Sequence, residues 1–317
     1  MTSPELFSTP STASTPSAAD ATRARGIIAD DLLAADTAMG PVTLLVGDLD
    51  GVTAFYRNGV GLDLLSEEGA TRTLGRAGVP VMILTHAPEL MLPRPGGAGL
   101  FHTAIVFETR EALAAAVYSV ATAYPGLYSG SADHLVSQAF YFVDPEGNGV
   151  ELYWDRPRDQ WQWTGNQVVM DTLPLDPNDF LRRWLNPERQ PHTRVDGAKV
   201  GHVHLSVGDV RVAKEFYVDA LGFAQTATFG SQALFVSAGG YHHHMAMNTW
   251  NSRGAGRRPA TLGLGNVVID VPARDDVDAL RDRLDHVGVA TRDDGAVVTF
   301  EDPWANSITV QASEPGN

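Results

Sequence analysis

The sequence predicts an α+β protein built from four βαβββ modules arranged as two open, eight-stranded, cup-like barrels. Three observations predict it. The first is an internal repeat: Gly40-Pro-Val-Thr-Leu-Leu-Val-Gly-Asp48 matches Gly201-His-Val-His-Leu-Ser-Val-Gly-Asp209. The same offset carries Phe55-Tyr56 onto Phe216-Tyr217, Gly61 onto Gly222 and Ala77-Gly78 onto Ala238-Gly239 without a gap. The second is that each copy begins with an alternating strand pattern (Val42 to Val46; Val203 to Val207) and then meets an aspartate, Asp48 or Asp209. An aspartate there can open a helix by accepting from first-turn amides. The third is that a second pair of segments follows the same plan.

Taken in order, module one runs from the Gly40 strand through the Asp48 helix to the strands around Ala77-Gly78. Module two has a strand from Thr103 to Phe107, a helix from Glu111 to Ala121, and strands ending at Asp144-Pro-Glu-Gly-Asn-Gly-Val-Glu151. Module three starts at Gly201. Module four has a strand from Val267 to Val271, a helix from Asp275 to His286, and strands ending at Asp302-Pro-Trp-Ala-Asn-Ser-Ile-Thr309. Two such modules curl one open sheet around a cup, so four make two cups. The boundaries read as a tail over 1–37, a first pair of modules over 38–155, a connecting segment over 156–199 and a second pair over 200–313.

The tail is rich in Ser, Thr, Pro and Ala with few large apolar side chains, so disorder is expected. The connecting segment is long for a plain linker. It should hold a helix near Pro177 to Trp184, with Trp161 and Trp163 as buried anchors.

Composition narrows the chemistry. A formal charge of −15 repels nucleic acid phosphates and anionic lipid, so neither is an expected partner. No segment has the run of roughly 18 apolar residues needed to span a membrane, and the first residues lack the apolar core of a secretory signal. A soluble, cytoplasmic protein is expected. With no cysteine, thiolate metal sites and cysteine nucleophiles are excluded, and histidine and carboxylate are left as the strong ligands.

The GHVHLSVGD strand start, the EFY…LGF helix end, the YHHHM run at Tyr241 to Met245 and the FYFVDPEGNGVELY segment together resemble the vicinal oxygen chelate superfamily, which holds glyoxalases, bleomycin resistance proteins and extradiol dioxygenases. Within it, the chain looks like the catechol 2,3-dioxygenases, over nearly everything from about residue 38 to 312. That resemblance implies ligands on the first and last strands of paired modules. Module two offers His102 and Glu151, module three offers His202, whereas module one has Pro41 and module four has Asn266 and Thr309 at the corresponding places. Pairing consecutive modules would scatter the three ligands. The expectation is therefore that modules two and three pair, with modules one and four forming a metal-free cup.

Two imidazoles and one carboxylate suit non-haem Fe(II), leaving positions for a chelating diol and for dioxygen. Mn(II) is the alternative ion. The implied activity is that of an oxidoreductase of aromatic compound degradation, an extradiol ring-cleaving dioxygenase acting on a small aromatic diol and O2. Self-association is left open. His243 matches the family's active-site histidine, which takes and returns substrate protons, and a histidine suits that task near neutral pH. Strand alternation does not let three consecutive histidines enter one cup, so His242 and His244 stay open as alternatives. His134 and Tyr141 match the pair that hydrogen-bonds substrate or the oxygen adduct. His204 shares a strand face with His202. His204, His244 and Asn248 are the candidates for contacting substrate.

Taken singly, His102 or His202 reads as a hydrogen-bonded strand histidine, and their matched module positions turn that reading toward ligation. Glu151 lies in an apolar stretch, where an unpaired carboxylate is costly. Tyr141 read alone is a core aromatic. The Asp144 to Asn148 stretch reads as a structural turn because Asp302-Pro303 and Asn306 recur in a module without ligands. His86, His192 and His286 carry no pattern, and Arg253 to Arg258 read as a solvated loop. Two other functions compete. A glyoxalase-like isomerase or lyase typically draws a carboxylate from each module, but the last strand of module three has none. A metal-free resistance protein that sequesters a small molecule has no need of three ligands.

Overall fold

The two glycine-led repeats open as long strands, β1 (Ala38–Val46) and β12 (Ala198–Ser206). Along β1 buried and half-buried positions alternate, as expected of a strand with one face in the core. After each strand comes the predicted cap: the Asp48 carboxylate accepts from Gly51 N–H at 2.9 Å, and that of Asp209 from Arg211 N–H at 2.7 Å. The helices they open, α1 (Leu49–Ala54) and α4 (Val210–Lys214), both widen into a π turn, over Phe55–Val60 and Glu215–Ala220. The turns are left through Gly61 (φ 89°) and Gly222 (φ 90°), a backbone region that favours glycine.

The computed structural model describes residues 32–186 and 197–313. The rest of module one is β2 (Asp63–Glu68), β3 (Thr71–Arg76) and β4 (Val79–His86). Module two holds β5 (Gly99–Phe107), α2 (Arg110–Ala123), β6 (Tyr128–Asp133), β7 (Ser137–Val143) and β8 (Gly149–Asp155). The connecting segment carries β9 (Trp163–Thr164), β10 (Gln167–Val168), β11 (Leu173–Pro174) and α3 (Pro177–Trp184). Module three continues with β13 (Ala224–Phe229), β14 (Ala233–Ser237) and β15 (Met245–Asn248). Module four is β16 (Gly263–Val271), α5 (Arg274–His286), β17 (Thr291–Asp293), β18 (Val297–Glu301) and β19 (Ser307–Ala312).

Two curled sheets result. One has the order β17-β18-β19-β16-β1-β4-β3-β2, drawn from modules one and four, and the other β11-β6-β7-β8-β5-β12-β15-β14-β13, drawn from modules two and three with one added strand. The second sheet thus has nine strands rather than the expected eight. Its extra strand, β11, pairs with β6 at the register Leu173↔Asp133 and so covers an edge that would otherwise present unpaired amides. The seam between modules two and three is the antiparallel pair β5 and β12, where His204 faces His102 directly.

Two irregularities in that seam matter for the site. The register shifts between Val200 and His202 and again between His204 and Leu205, whose partner is Leu100. The second shift leaves Phe101 as an extra residue, and a bulge of this kind re-aims a side chain that simple alternation would send to the other face. The first shift falls at Gly201, where an added Cβ would lie 1.8 Å from the Tyr153 hydroxyl. No other residue fits there.

The DPxxN turns are structural in both modules that carry them. Asp144 accepts from the amides of Glu146 and Asn148, each at 2.9 Å, and Asp302 accepts from those of Trp304 and Asn306 at 2.9 and 2.8 Å. Each aspartate also accepts from the side-chain amide of its own asparagine. Helix α3 lies where the sequence put it, capped by Asp176 and anchored by Phe180 against Phe140, with ring centroids 4.8 Å apart.

Two expectations need correcting. Disorder is expected through residue 37, yet Leu33 is buried and its amide donates to Gly222 O at 2.8 Å, while Thr37 is also buried. Residues 1–31 lie outside the described residues. Trp161 is a buried anchor, but Trp163 is 42% exposed, because it stands on the short β9–β10 hairpin rather than on the core. His86 is bound to Gly47 O at 3.0 Å, His286 ends α5 in solvent, and His192 lies outside the described residues.

Candidate metal centre and substrate cavity

Strand pairing brings three side chains to one point. Glu151 Oε2 lies 2.9 Å from His102 Nε2 and 3.2 Å from His202 Nε2, and the two imidazole nitrogens are 3.4 Å apart. All three residues are buried. Donors about 2.1 Å from a common ion stand roughly 3.0 Å apart at right angles and roughly 3.4 Å apart at the tetrahedral angle, so these separations fit ligands of one cation. The protonation states fit as well. Burial pushes the Glu151 carboxyl up, but the two imidazoles overcome that and hold it well below the usual carboxylate range. Burial lowers His202 to about 4 against the opposing pull of Glu151, leaving a neutral imidazole with a lone pair to give. An ionised carboxylate this deep needs a cation beside it.

The three donors sit on the wall of a cavity of about 780 Å³. His243 lines it too, with its ring centroid 4.1 Å from that of His202. His134 and Tyr141 form a pair on the same wall: His134 Nε2 is 2.7 Å from the Tyr141 hydroxyl, and His134 Nδ1 is 2.8 Å from Asp171 O. Since Nδ1 must donate to that carbonyl, Nε2 accepts from the phenol. Tyr141 stands opposite Glu151 in the β7–β8 ladder. Burial raises its pKa well above the ordinary phenol value, and the nearby Glu151 charge adds to the rise, so it remains a neutral phenol.

His204 also lines the cavity, with its ring 4.9 Å from that of His102. The other two substrate-contact candidates do not. Asn248 is fully buried, with its side-chain amide 3.0 Å from His204 Nε2. His244 is not among the residues that line the cavity. Its Nδ1 accepts from Ala238 N–H at 3.2 Å and its ring packs against Tyr241.

His242 belongs to a second cluster of possible ligand atoms, with His202 and His243. Its own nitrogens are already engaged, however, Nε2 with Asp155 at 2.9 Å and Nδ1 with His243 Nδ1 at 2.7 Å. The cluster with a carboxylate is the stronger cation site. At the corresponding places in the other sheet, Asn266 Oδ1 accepts from Ser307 at 2.9 Å and Thr309 at 3.2 Å, so neutral polar groups satisfy one another. Among the described residues no ligand cluster forms there.

Several lining residues escaped the sequence reading. Phe101 and Trp250 stand beside His204, at 4.9 and 5.5 Å, and Phe235 stands 5.1 Å from His243. The connecting segment contributes Val168 to Thr172. Phe235 alternates with Ser237 on a strand and could have been read from periodicity. Phe101 could not, because it reaches the cavity through a bulge.

The family model for the Glyoxalase/Bleomycin resistance protein/Dioxygenase superfamily matches residues 199–310. A protein of Bacillus subtilis (strain 168) described as catechol-2,3-dioxygenase is 36% identical over 274 residues, covering 84% of this chain and 94% of that one. The chain belongs to this superfamily. Solved structures agree on the superfamily fold. A candidate dioxygenase of Bacillus subtilis superposes with a TM-score of 0.60 at 15% identity, covering 88% of this chain and 86% of that one. Maize glyoxalase I superposes with a TM-score of 0.56 at 15% identity, covering 87% and 92%.

Proposed function

We propose that this chain is an extradiol ring-cleaving dioxygenase that inserts both atoms of O2 into a catechol, using Fe(II) held by His102, His202 and Glu151. The observation that carries the reading is the convergence of two imidazoles and one carboxylate on the cavity wall, beside a histidine and a histidine–tyrosine pair. The likeness to a catechol-2,3-dioxygenase over most of both chains supports it. Among the described residues each ligand cluster contains at most one carboxylate, which favours a dioxygenase over a glyoxalase-like isomerase. Mn(II) is accommodated by the same donors.

When bound, the ion supplies the redox-active centre that couples a chelated diol to dioxygen electronically. The chain does the rest. His243 takes a hydroxyl proton from the catechol and later returns it, a role that needs its cavity-facing nitrogen bare. The Tyr141 hydroxyl, which donates to His134, turns its oxygen lone pairs to the same space and can accept from a bound hydroxyl. The aromatic side chains around His204 exclude water from the ring. The reaction partners are the diol and O2, and no described helix is long and apolar enough to cross a membrane.

The test is anaerobic reconstitution with Fe(II), followed by oxygen uptake and the absorbance of the ring-opened product with catechol and substituted catechols. Uptake with none of them would sink the proposal. His243→Ala should retain iron while slowing turnover by about 10²–10⁴, the range for a general acid–base group.

A further inference from the structure

The cavity is much larger than a bare catechol requires. Eight heavy atoms fill on the order of 150 Å³, judged against about 30 Å³ for a water, whereas the cavity offers about 780 Å³. Much of its lining is aromatic or aliphatic. Phe101, His204 and Trp250 form a continuous aromatic wall, with Phe101 5.4 Å from Trp250 and 4.9 Å from His204. Phe229 also lines the cavity and is 64% exposed, and Trp250 is 43% exposed, so among the described residues these apolar rings are left partly uncovered. Val168, Val169 and Met170 add aliphatic surface from the connecting segment.

The charge of the lining is equally one-sided. Among the described residues it contains no lysine or arginine, and its two charged residues, Glu151 and Asp171, are both acidic. Among the described residues Asp171 meets no cation at the wall: its Oδ1 accepts from the Thr172 amide at 2.7 Å, and its backbone carbonyl accepts from His134. A substituent carboxylate entering this space would lose hydration, meet no cation and face a like charge. A substituent alkyl or aryl group would meet rings and methyl groups.

We propose that the cavity selects catechols bearing a bulky, neutral, apolar substituent and discriminates against catechols bearing a carboxylate. This rests on the ring-cleavage reading above, and names the substrate class of the same site.

The test is anaerobic titration calorimetry of the Fe(II)-loaded protein with three probes, catechol, phenylcatechol and dihydroxyphenylacetate, followed by kcat/KM for each under oxygen. Burying a phenyl group should make phenylcatechol bind about 10- to 100-fold tighter than catechol. Dihydroxyphenylacetate should bind more weakly than catechol. If catechol is cleaved but phenylcatechol binds no tighter, or dihydroxyphenylacetate binds better, the substrate-class proposal is overturned and the dioxygenase reading stands. Cleavage of none of the three overturns both. As a second arm, Met170→Arg puts a cation on the wall and should improve dihydroxyphenylacetate binding by about tenfold, the scale of one charge-assisted contact. No improvement in a variant that still binds iron would count against exclusion by charge.

Discussion

Asp155 Oδ1 lies 2.9 Å from His242 Nε2, and this contact decides which nitrogen of His243 is bare. A carboxylate only accepts, so His242 carries its proton on Nε2 and presents a lone pair at Nδ1. The neighbouring Nδ1 of His243, 2.7 Å away, must then donate, which leaves Nε2 of His243 as the base. Asp155 is itself fixed by the Tyr241 hydroxyl at 2.6 Å, which Tyr153 meets at 2.7 Å. Asp155→Asn would let an amide donate to His242 and reverse both tautomers. Turnover should fall by about 10²–10⁴, as for loss of the base itself, with iron content unchanged. Wild-type rates in an iron-replete variant would exclude this tautomer control.

Removing any member of the candidate ligand set should remove the ion. His102→Ala, His202→Ala and Glu151→Ala are each expected to purify without stoichiometric metal, measured by elemental analysis. In the wild type, Fe(II) at about 100 times its Kd should stabilise the fold by about 2.7 kcal/mol, and a chelator should reverse the gain. Full metal occupancy in Glu151→Ala would disprove the ligand assignment.

The 2.7 Å contact between His134 and Tyr141 predicts that the two act as a unit. In a double-mutant cycle of Tyr141→Phe and His134→Gln, losses in kcat/KM should be non-additive by about 0.5–3 kcal/mol, the coupling expected of groups in contact. Additive losses would mean that the pair is structural only.

What the sequence made legible follows from where the information is stored. The module strands and caps are local patterns, so β1, β12, α3 and the Asp48 and Asp209 caps could be read from alternation and from one aspartate each. The neighbourhood of His102, Glu151 and His202 was legible because a repeat makes equivalent positions comparable, and only two modules carry ligand types there. Phe101 was hidden because one extra residue in the seam reverses the side that alternation assigns. The β9–β11 strands are two residues long, too short to show any period, so their part in the cavity had no signature. The contact of His242 with Asp155 joins residues 87 apart without a motif to link them.

Acid should weaken the fold through His244. Burial lowers its pKa from 6.5 to about 3, with His242 and Arg158 adding in the same direction. The native state therefore binds fewer protons than the unfolded chain between those values, and stability rises with pH across that window. Lowering the pH from above 6.5 to 5 should cost about 2 kcal/mol from this residue alone. His244→Asn keeps an acceptor for Ala238 N–H but cannot titrate, so denaturant melts of the metal-free variant should show a shallower decline over the same range. A decline of unchanged slope would assign the acid sensitivity elsewhere.

Gly201 is expected to be the least replaceable residue of the seam. A Cβ would lie 1.8 Å from the Tyr153 hydroxyl and 2.8 Å from the ring carbon bearing it, and Tyr153 is fully buried with no room to retreat. Gly201→Ala should destabilise by about 1–3 kcal/mol or more, the cost of overpacking a filled core, and should displace the adjacent His202. Adding Tyr153→Phe removes the closest atom, so the double variant should recover part of both stability and metal affinity relative to Gly201→Ala alone. The recovery has to appear in both readouts, since His202 and Tyr153 share that contact, with ring centroids 5.0 Å apart. A double variant no better than the single one would mean that the constraint on Gly201 is the bulged backbone itself and not the tyrosine behind it.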